Sequence, residues 1–251
     1  MKTIITIEAR MGSSRLPGKM LLPICEKPIL QLVIERLKRV KLANEVVVAT
    51  TVNLLDDEIE ALCKSIDCAY FRGSEPDVLD RLIQTAKAFD AEVIAQTTGD
   101  CPLIDPAVVD EAIKIFRESN VDYVSNRLDR TYPTGVDPQV FYTSALERVA
   151  EKTNDPDDRE HGSYYIYTHP HEFTMKNFKA EDVNLPHYRW LLDYPEDFEF
   201  TKAIYERLYP SNPDFTMYDV LKLLEDEPEL IKINSMYPVD LTVYKHFEVL
   251  P

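Results

Sequence analysis

The chain has 251 residues, a length that suits one α/β domain with elaborations better than two full domains. Its 45% hydrophobic and 29% charged content exclude a disordered polymer, and no run approaches the roughly 20 apolar residues that span a bilayer. Forty-four acidic against 28 basic side chains give a formal charge of -16, which repels nucleic-acid backbones and anionic lipid, so an anionic ligand must be caught by a local cluster of cations.

Residues 3–7 (TIITI) are a β-branched run of strand length. Pro28 precedes Ile29, Leu32, Val33, Leu37 and Val40 at helical spacing, which predicts a helix over 29–40. A second strand is expected over 45–51 (EVVVATT), with helices over 56–65 and 77–89. A third strand at 92–97 (EVIAQT) runs into GDCPLIDP, where Asp105-Pro106 opens a helix to about residue 118, and Val121 to Val124 reads as one more strand. Strands alternating with helices across short connections predict βαβ units, hence a mostly parallel sheet with helices on both faces. Such sheets bind ligands at the carboxyl ends of their strands, which directs attention to 8–19 and 98–105.

Past residue 126 the alternation loosens. Tyrosines gather at 164–167 (YYIY), and 151–160 (EKTNDPDDRE) is too polar for a core. Residues 127–190 therefore read as an inserted subdomain of a single domain covering 1–251, with strands expected at 137–141 and 172–178. Helices return at about 196–208 and 216–226. Cys25, Cys63, Cys68 and Cys101 include no C-x-x-C pair, and the N-terminal MKTIITIEAR turns charged too soon for a signal peptide; both features fit reduced thiols in the cytoplasm.

The segment Glu8 to Lys19 (EARMGSSRLPGK) follows the first strand and carries Arg10, Arg15 and Lys19 with Gly12 and Gly18. Such a loop can turn backbone N–H groups and cations toward a polyphosphate, or it is an ordinary basic solvent loop. Five residues between the glycines, Pro17 before the second and Met20 after Lys19 exclude a Walker A loop. Thr98-Gly99-Asp100-Cys101-Pro102 leaves a strand with an aspartate suited to ligate Mg²⁺ beside phosphate oxygens and waters, or simply to cap a turn. Arg189 to Asp193 (RWLLD) reads as a short buried strand ending in a second carboxylate, and two acids from distant strands at one mouth would hold a divalent cation. Glu196 and Asp197 read as the start of the next helix. Asp80 and Arg81 form an exposed ion pair or approach a nucleotide. Arg159, Glu160 and His161 begin a tyrosine-rich helix that meets an acceptor or a subunit interface. His169-Pro-His171 has no further ligand at zinc spacing and reads as a loop pair.

In chain order, IEARMGSSRLPGKML, FRGSEPDVLDRL, TTGDCPLIDP, DYVSN, REHGSYYIYTHP and RWLLDYPED resemble the cytidylyltransferases that activate acidic sugars, the acylneuraminate and 3-deoxy-manno-octulosonate enzymes. Within them the resemblance is to the spore coat polysaccharide biosynthesis protein F group, over about residues 2–208. It implies a nucleotide-diphosphosugar transferase-like, Rossmann-like α/β fold. It also implies Mg²⁺-dependent transfer of CMP from CTP to an acidic sugar, with pyrophosphate released, for surface polysaccharide, by a homodimer with no nucleic-acid or membrane partner. On this resemblance Arg10, Arg15 and Lys19 fall on the triphosphate loop, with Lys19, Arg15 and Asp100 in catalytic positions, and Asp100 and Asp193 fall on the metal-binding aspartates. Ala9 and Gly12 lie against the nucleotide by backbone, and Asp80 and Thr98 are also on its side. Tyr132, Gly135, Asp137, Glu160, His161 and Arg189 face the acceptor. Two positions depart from the pattern. Glu8 replaces a glutamine and sets a negative charge beside the triphosphate loop, and Thr98 replaces the glutamine that helps read cytosine. Thr98 leaves the base identity open, and Glu8 keeps a nucleotide-binding protein without catalysis as one competing reading. The other is a nucleotide-sugar-dependent glycosyltransferase of similar fold, which would also use an aspartate-held metal but needs no loop with three cations.

Overall fold

β-Branched runs that alternate in direction between two hydrophobic layers build a seven-stranded sheet. The computed structural model describes residues 1–242. Strand β1 (Thr3–Glu8) is followed by a short hairpin, β2 (Pro23–Ile24) and β3 (Lys27–Pro28), and by helix α1 (Ile29–Leu37). Next come β4 (Glu45–Thr51), α2 (Asp57–Ser65), β5 (Ala69–Gly73), α3 (Val78–Ala88) and β6 (Val93–Thr98). Helix α4 (Pro106–Glu118) leads to β7 (Tyr123–Ser125), β8 (Gln139–Tyr142), α5 (Thr143–Lys152), α6 (Pro156–Glu160), α7 (Tyr164–Thr168) and β9 (Met175–Asn177). Helices α8 (Pro195–Leu208) and α9 (Met217–Asp226) and a 3-10 turn over Pro228–Ile233 follow.

The strand order is β5-β4-β1-β6-β8-β7-β9, and only β8 runs antiparallel to its neighbours. Ile5 and Ile7 of β1, Val46 and Val48 of β4, and Val93 and Ala95 of β6 join the core shared with α1, α4 and α8. Their neighbours Ile4, Val47 and Ile94 point the other way, into the core shared with α3, α5 and α7. This is the two-residue period of a sheet covered on both faces. Helix starts follow their capping residues. Asp105 accepts the Ala107 N–H at 2.8 Å with Pro106 in the first turn, and its other oxygen accepts the Met217 N–H at 2.5 Å, which ties α9 to α4.

Several sequence expectations move. The strands expected over 121–124, 137–141 and 172–178 are Tyr123–Ser125, Gln139–Tyr142 and Met175–Asn177. Residues 127–190 are woven into the main sheet, since β8 lies between β6 and β7 and β9 forms the far edge. Strand β5 and helix α5 add to the expected elements. Arg189 to Leu192 is extended but belongs to no strand. It makes a single parallel bridge from Arg189 to Thr134, with the Trp190 N–H donating to the Thr134 carbonyl at 2.8 Å.

Strand β1 lies between β4 and β6, so the chain builds one side of the sheet, returns, and builds the other. Glu8 at the end of β1 pairs in register with Thr98 at the end of β6. Their carboxyl ends therefore open together at the point where the strand order reverses, where open α/β sheets place their ligands.

The bridge at Thr134 depends on Gly135. Its φ is 109°, and a Cβ there would sit 2.7 Å from the Trp190 carbonyl oxygen. Gly135→Ala combines backbone strain with a backbone clash and should cost about 1–3 kcal/mol, read as a lowered denaturant midpoint. An unchanged midpoint would show that the 189–193 segment does not depend on this contact.

Candidate active site

A cavity of about 550 Å³ opens at the carboxyl ends of β1 and β6. The loop from β1 folds on itself, with the Met11 carbonyl accepting from Ser13 N–H at 2.9 Å and from Gly18 N–H at 3.4 Å. Met11 N–H is held in turn by the buried Asp56 at 2.7 Å. Gly18, with φ 71°, starts the 3-10 turn Lys19–Leu21 that turns Lys19 back into the fold.

Lys19 is 8% exposed, and its ammonium donates to Asp100 Oδ2 at 3.2 Å, Asp193 Oδ1 at 3.0 Å and the Leu192 carbonyl at 2.7 Å. The Leu192 N–H donates to the Asp100 carbonyl at 2.9 Å, so the two acid-bearing segments are also tied by backbone. Thr98 Oγ1 donates to Asp100 Oδ1 at 2.6 Å. The Arg15 guanidinium lies 3.2 Å from Asp193 Oδ2 and 5.1 Å from the centre of the Tyr194 ring. Burial alone would lower the Lys19 pKa, but Asp100 and Asp193 outweigh it and hold the amine protonated. Burial would likewise raise the Asp193 pKa, and Lys19, Arg15 and Arg189 overcome that to keep it ionised.

The structure thus brings Arg15, Lys19, Asp100 and Asp193 together, with Ala9, Arg10, Gly12 and Thr98 also on the cavity wall. Arg10 is half exposed and lies 3.8 Å from Glu75. Asp80 is not on the wall, a correction to its expected place beside the nucleotide. Its carboxylate accepts from Gln84 on the exposed side of α3, while Arg81, only 4% exposed, faces the cavity. The signal for Arg81 was present, because it stands between Val78 and Leu82 on the inward stripe of that helix.

Glu8 also faces the cavity. It accepts from Gln96 Nε2 and lies 4.0 Å from Arg81 Nη2. Burial raises its pKa, opposed by the Gln96 hydrogen bond and by Arg81.

Glu160 and His161 also line the cavity. They close α6 and do not open the tyrosine-rich helix α7, because Gly162, at φ 57°, breaks the chain between the two. Tyr132, Gly135 and Asp137 lie off the wall, against the expectation that they face an acceptor. Tyr132 packs edge-on to Phe178 at 5.8 Å, while Asp137 pairs with Arg130 at 2.5 Å and accepts the Gly135 N–H at 3.2 Å. Arg189 stands behind Asp193, gripping Asp197 through two hydrogen bonds of 2.9 Å, with its Nη2 3.4 Å from Asp193 Oδ2.

The lining cations Arg10, Arg15, Lys19 and Arg81 are matched by the carboxylates Glu8, Asp100, Glu160 and Asp193. A triphosphate entering this balanced cavity brings uncompensated negative charge. Among the described residues no group of three or more His, Cys, Asp or Glu could hold a metal by itself. Asp100 and Asp193 nonetheless offer the hard oxygen donors that Mg²⁺ prefers, and that ion is typically bound by one or two carboxylates with phosphate and water completing its shell. Among the described residues the cysteines are free, and no helix is long and apolar enough to cross a membrane.

Residues 4–218 match the cytidylyltransferase family model. The spore coat polysaccharide biosynthesis protein SpsF of Bacillus subtilis is 32% identical over 236 residues, covering 90% of this chain and 95% of that protein. A 3-deoxy-manno-octulosonate cytidylyltransferase of Trichlorobacter lovleyi is 38% identical over 121 residues, 46% of this chain and 45% of that enzyme. The solved structure of a cytidylyltransferase from Leptospira borgpetersenii superposes with a TM-score of 0.89 at 33% identity, covering 94% of this chain and 99% of that one. With this match over most of its length and the cavity at the β1–β6 switch, the chain belongs to the cytidylyltransferase family and is a nucleotidyltransferase.

Proposed function

We propose that this enzyme transfers CMP from CTP to a hydroxyl group of a sugar acid, releasing pyrophosphate, in the cytoplasmic synthesis of a surface polysaccharide. The observation that carries this reading is the meeting of Lys19, Asp100 and Asp193 beside the Arg15 loop, supported by the likeness to SpsF and to the octulosonate enzyme. The acceptor oxygen forms a bond to the α-phosphorus, the bond from that phosphorus to the bridging oxygen breaks, and its electron pair leaves on pyrophosphate. The hydroxyl proton passes to water. Lys19 and Arg15 stabilise the departing phosphates by their charge, and the backbone at Ala9 and Gly12 lies against the nucleotide. Asp100 and Asp193 are the residues that would hold Mg²⁺, which when bound neutralises phosphate charge. Glu160 and His161 face the acceptor. No protein nucleophile is needed, because phosphoryl-type transfer relies on positioning and electrostatics. The enzyme acts as a homodimer in this reading, and sedimentation as a monomer at micromolar concentration would count against that part.

The direct test is a pyrophosphate-release screen of four nucleoside triphosphates against a panel of sugar acids, with Mg²⁺ omitted as control. Release from CTP with one acid, lost without the metal, is the expected result. No pyrophosphate from any triphosphate, with CDP or CMP freed from a supplied nucleotide sugar as its sugar passes to an acceptor, would instead support the glycosyltransferase reading. Asp100→Asn should lower turnover by about 10²-fold or more, the scale of losing one strong electrostatic contributor. An unchanged rate would remove Asp100 from this role.

Glu8 gives a pH-dependent prediction. Its folded-state pKa is raised, so the stability it contributes is present at low pH and is lost as pH rises through that value. Glu8→Gln removes this loss, and the variant should unfold at higher denaturant than the parent at pH 8, with the gain vanishing below the ordinary carboxylate range near 4.5. It also removes negative charge from an anion-binding cavity and should lower KM for CTP by up to about tenfold, the equivalent of 1.4 kcal/mol. A raised KM would show that the carboxylate itself contacts the nucleotide.

A further inference from the structure

The family match ends at residue 218, yet the chain beyond it reaches the acid pair. After the 3-10 turn Pro228–Ile233, Asn234 is 3% exposed, and its amide donates to Asp197 Oδ1 and to the Arg189 carbonyl, both at 2.9 Å. Asp197 is fully buried. Besides Asn234 and the Arg189 guanidinium, it accepts the backbone N–H groups of Asp193 at 2.9 Å and Tyr194 at 3.0 Å. The peptide that carries Asp193 is therefore held by a carboxylate that Asn234 helps to fix.

A second, separate link starts at Tyr237. Its ring stacks on Tyr194 with centroids 3.8 Å apart and planes 3° from parallel, and its hydroxyl donates to Glu196 at 2.8 Å. Tyr194 is the ring against which the Arg15 guanidinium rests. Arg189 Nη1 donates to the Pro238 carbonyl at 3.4 Å, which fastens the end of the same segment.

We infer that residues 228–238 form a positioning strap of the active site, in which Asn234 sets Asp193 through Asp197 and Tyr237 sets Arg15 through Tyr194. Neither residue is among those lining the cavity, so both act at one remove. The inference rests on the roles given above to Asp193 and Arg15. The two links end on different groups, one on the acid pair and the other on a triphosphate cation, and they should leave different kinetic signatures. Loss of folded protein alone would lower the apparent kcat at unchanged KM, so rates are referred to the folded fraction read from the melting curves.

The test uses full-length Asn234→Ala, Tyr237→Ala and Tyr237→Phe, with melting curves to verify folding. Asn234→Ala should lower kcat for pyrophosphate release by roughly 10- to 100-fold, the scale of small misplacements at a reacting centre, with KM for CTP little changed. Tyr237→Ala should raise KM for CTP severalfold with kcat little changed, and Tyr237→Phe, which keeps the ring, should restore KM. In an Asp193→Asn background, Asn234→Ala should add almost nothing further, because groups that act through one another are not additive. Equal losses of kcat in both backgrounds, or parallel movement of kcat and KM in both alanine variants, would overturn the strap.

If Asn234→Ala does not fold, the Tyr237 pair decides. If the parent protein releases no pyrophosphate from CTP with any sugar acid, the proposed function fails. Amide hydrogen exchange at Asp193 and Tyr194 then judges the strap alone, with faster exchange in Asn234→Ala upholding it and unchanged exchange refuting it.

Discussion

One ammonium group organises the cavity at the carboxyl ends of β1 and β6. Lys19 sits nearly buried between Asp100 and Asp193, which lie 81 and 174 positions further along the chain. A buried amine without partners would lose its proton or open the structure, and two close carboxylates without a cation would repel each other. Each member is tolerable only because the others are present. That mutual requirement locks the β1 loop, the end of β6 and the segment before α8 to one point in space. Arg15, Arg189 and Asp197 then extend the same network outward.

The electrostatics differ from what a simple cation count implies. A protein carrying a formal charge of -16 would be expected to meet a triphosphate with an excess of positive side chains. The cavity instead holds its cations already paired, Lys19 with two aspartates, Arg15 with Asp193 and Arg81 facing Glu8. Pairing keeps the cations in place before any ligand arrives, and this lowers the reorganisation needed when phosphate binds. A triphosphate then adds negative charge that the paired cations do not offset, a role for which a divalent cation is suited.

How far the sequence revealed this site depends on the residue. Arg15, Lys19 and Asp100 were legible because charged residues and glycines directly follow apolar, β-branched runs, a pattern that marks the carboxyl ends of parallel strands. The strands around them were legible for the same reason. Strand β5 was not, since Ala69–Gly73 is only half buried and its Arg72 is turned outward to Asp57 and Glu60. Asp80 and Arg81 read together as neighbours, although the apolar stripe of Val78, Leu79 and Leu82 already sets the phase of α3 that divides them between solvent and cavity. Tyr132, Gly135 and Asp137 were grouped with the acceptor by resemblance, whereas the tight turn at Gly135 directs them into packing and into the Arg130 pair. The strap was invisible because it works through a carboxylate that reads, correctly but incompletely, as a helix start.

The placement of β8 has a consequence for how the molecule is made. Its antiparallel strand fills the gap between β6 and β7, so the hydrogen-bonding edge of β6 has no partner until residues 139–142 have been synthesised. During translation the half-sheet β5-β4-β1-β6 is available first, and one flank presents an open row of N–H and C=O groups of the kind that recruits foreign strands. The nascent chain is thus most vulnerable to aggregation in the interval between the emergence of β6 and that of β8. Because β7 joins the sheet only through β8 and β9, residues 139–142 also anchor everything beyond β6.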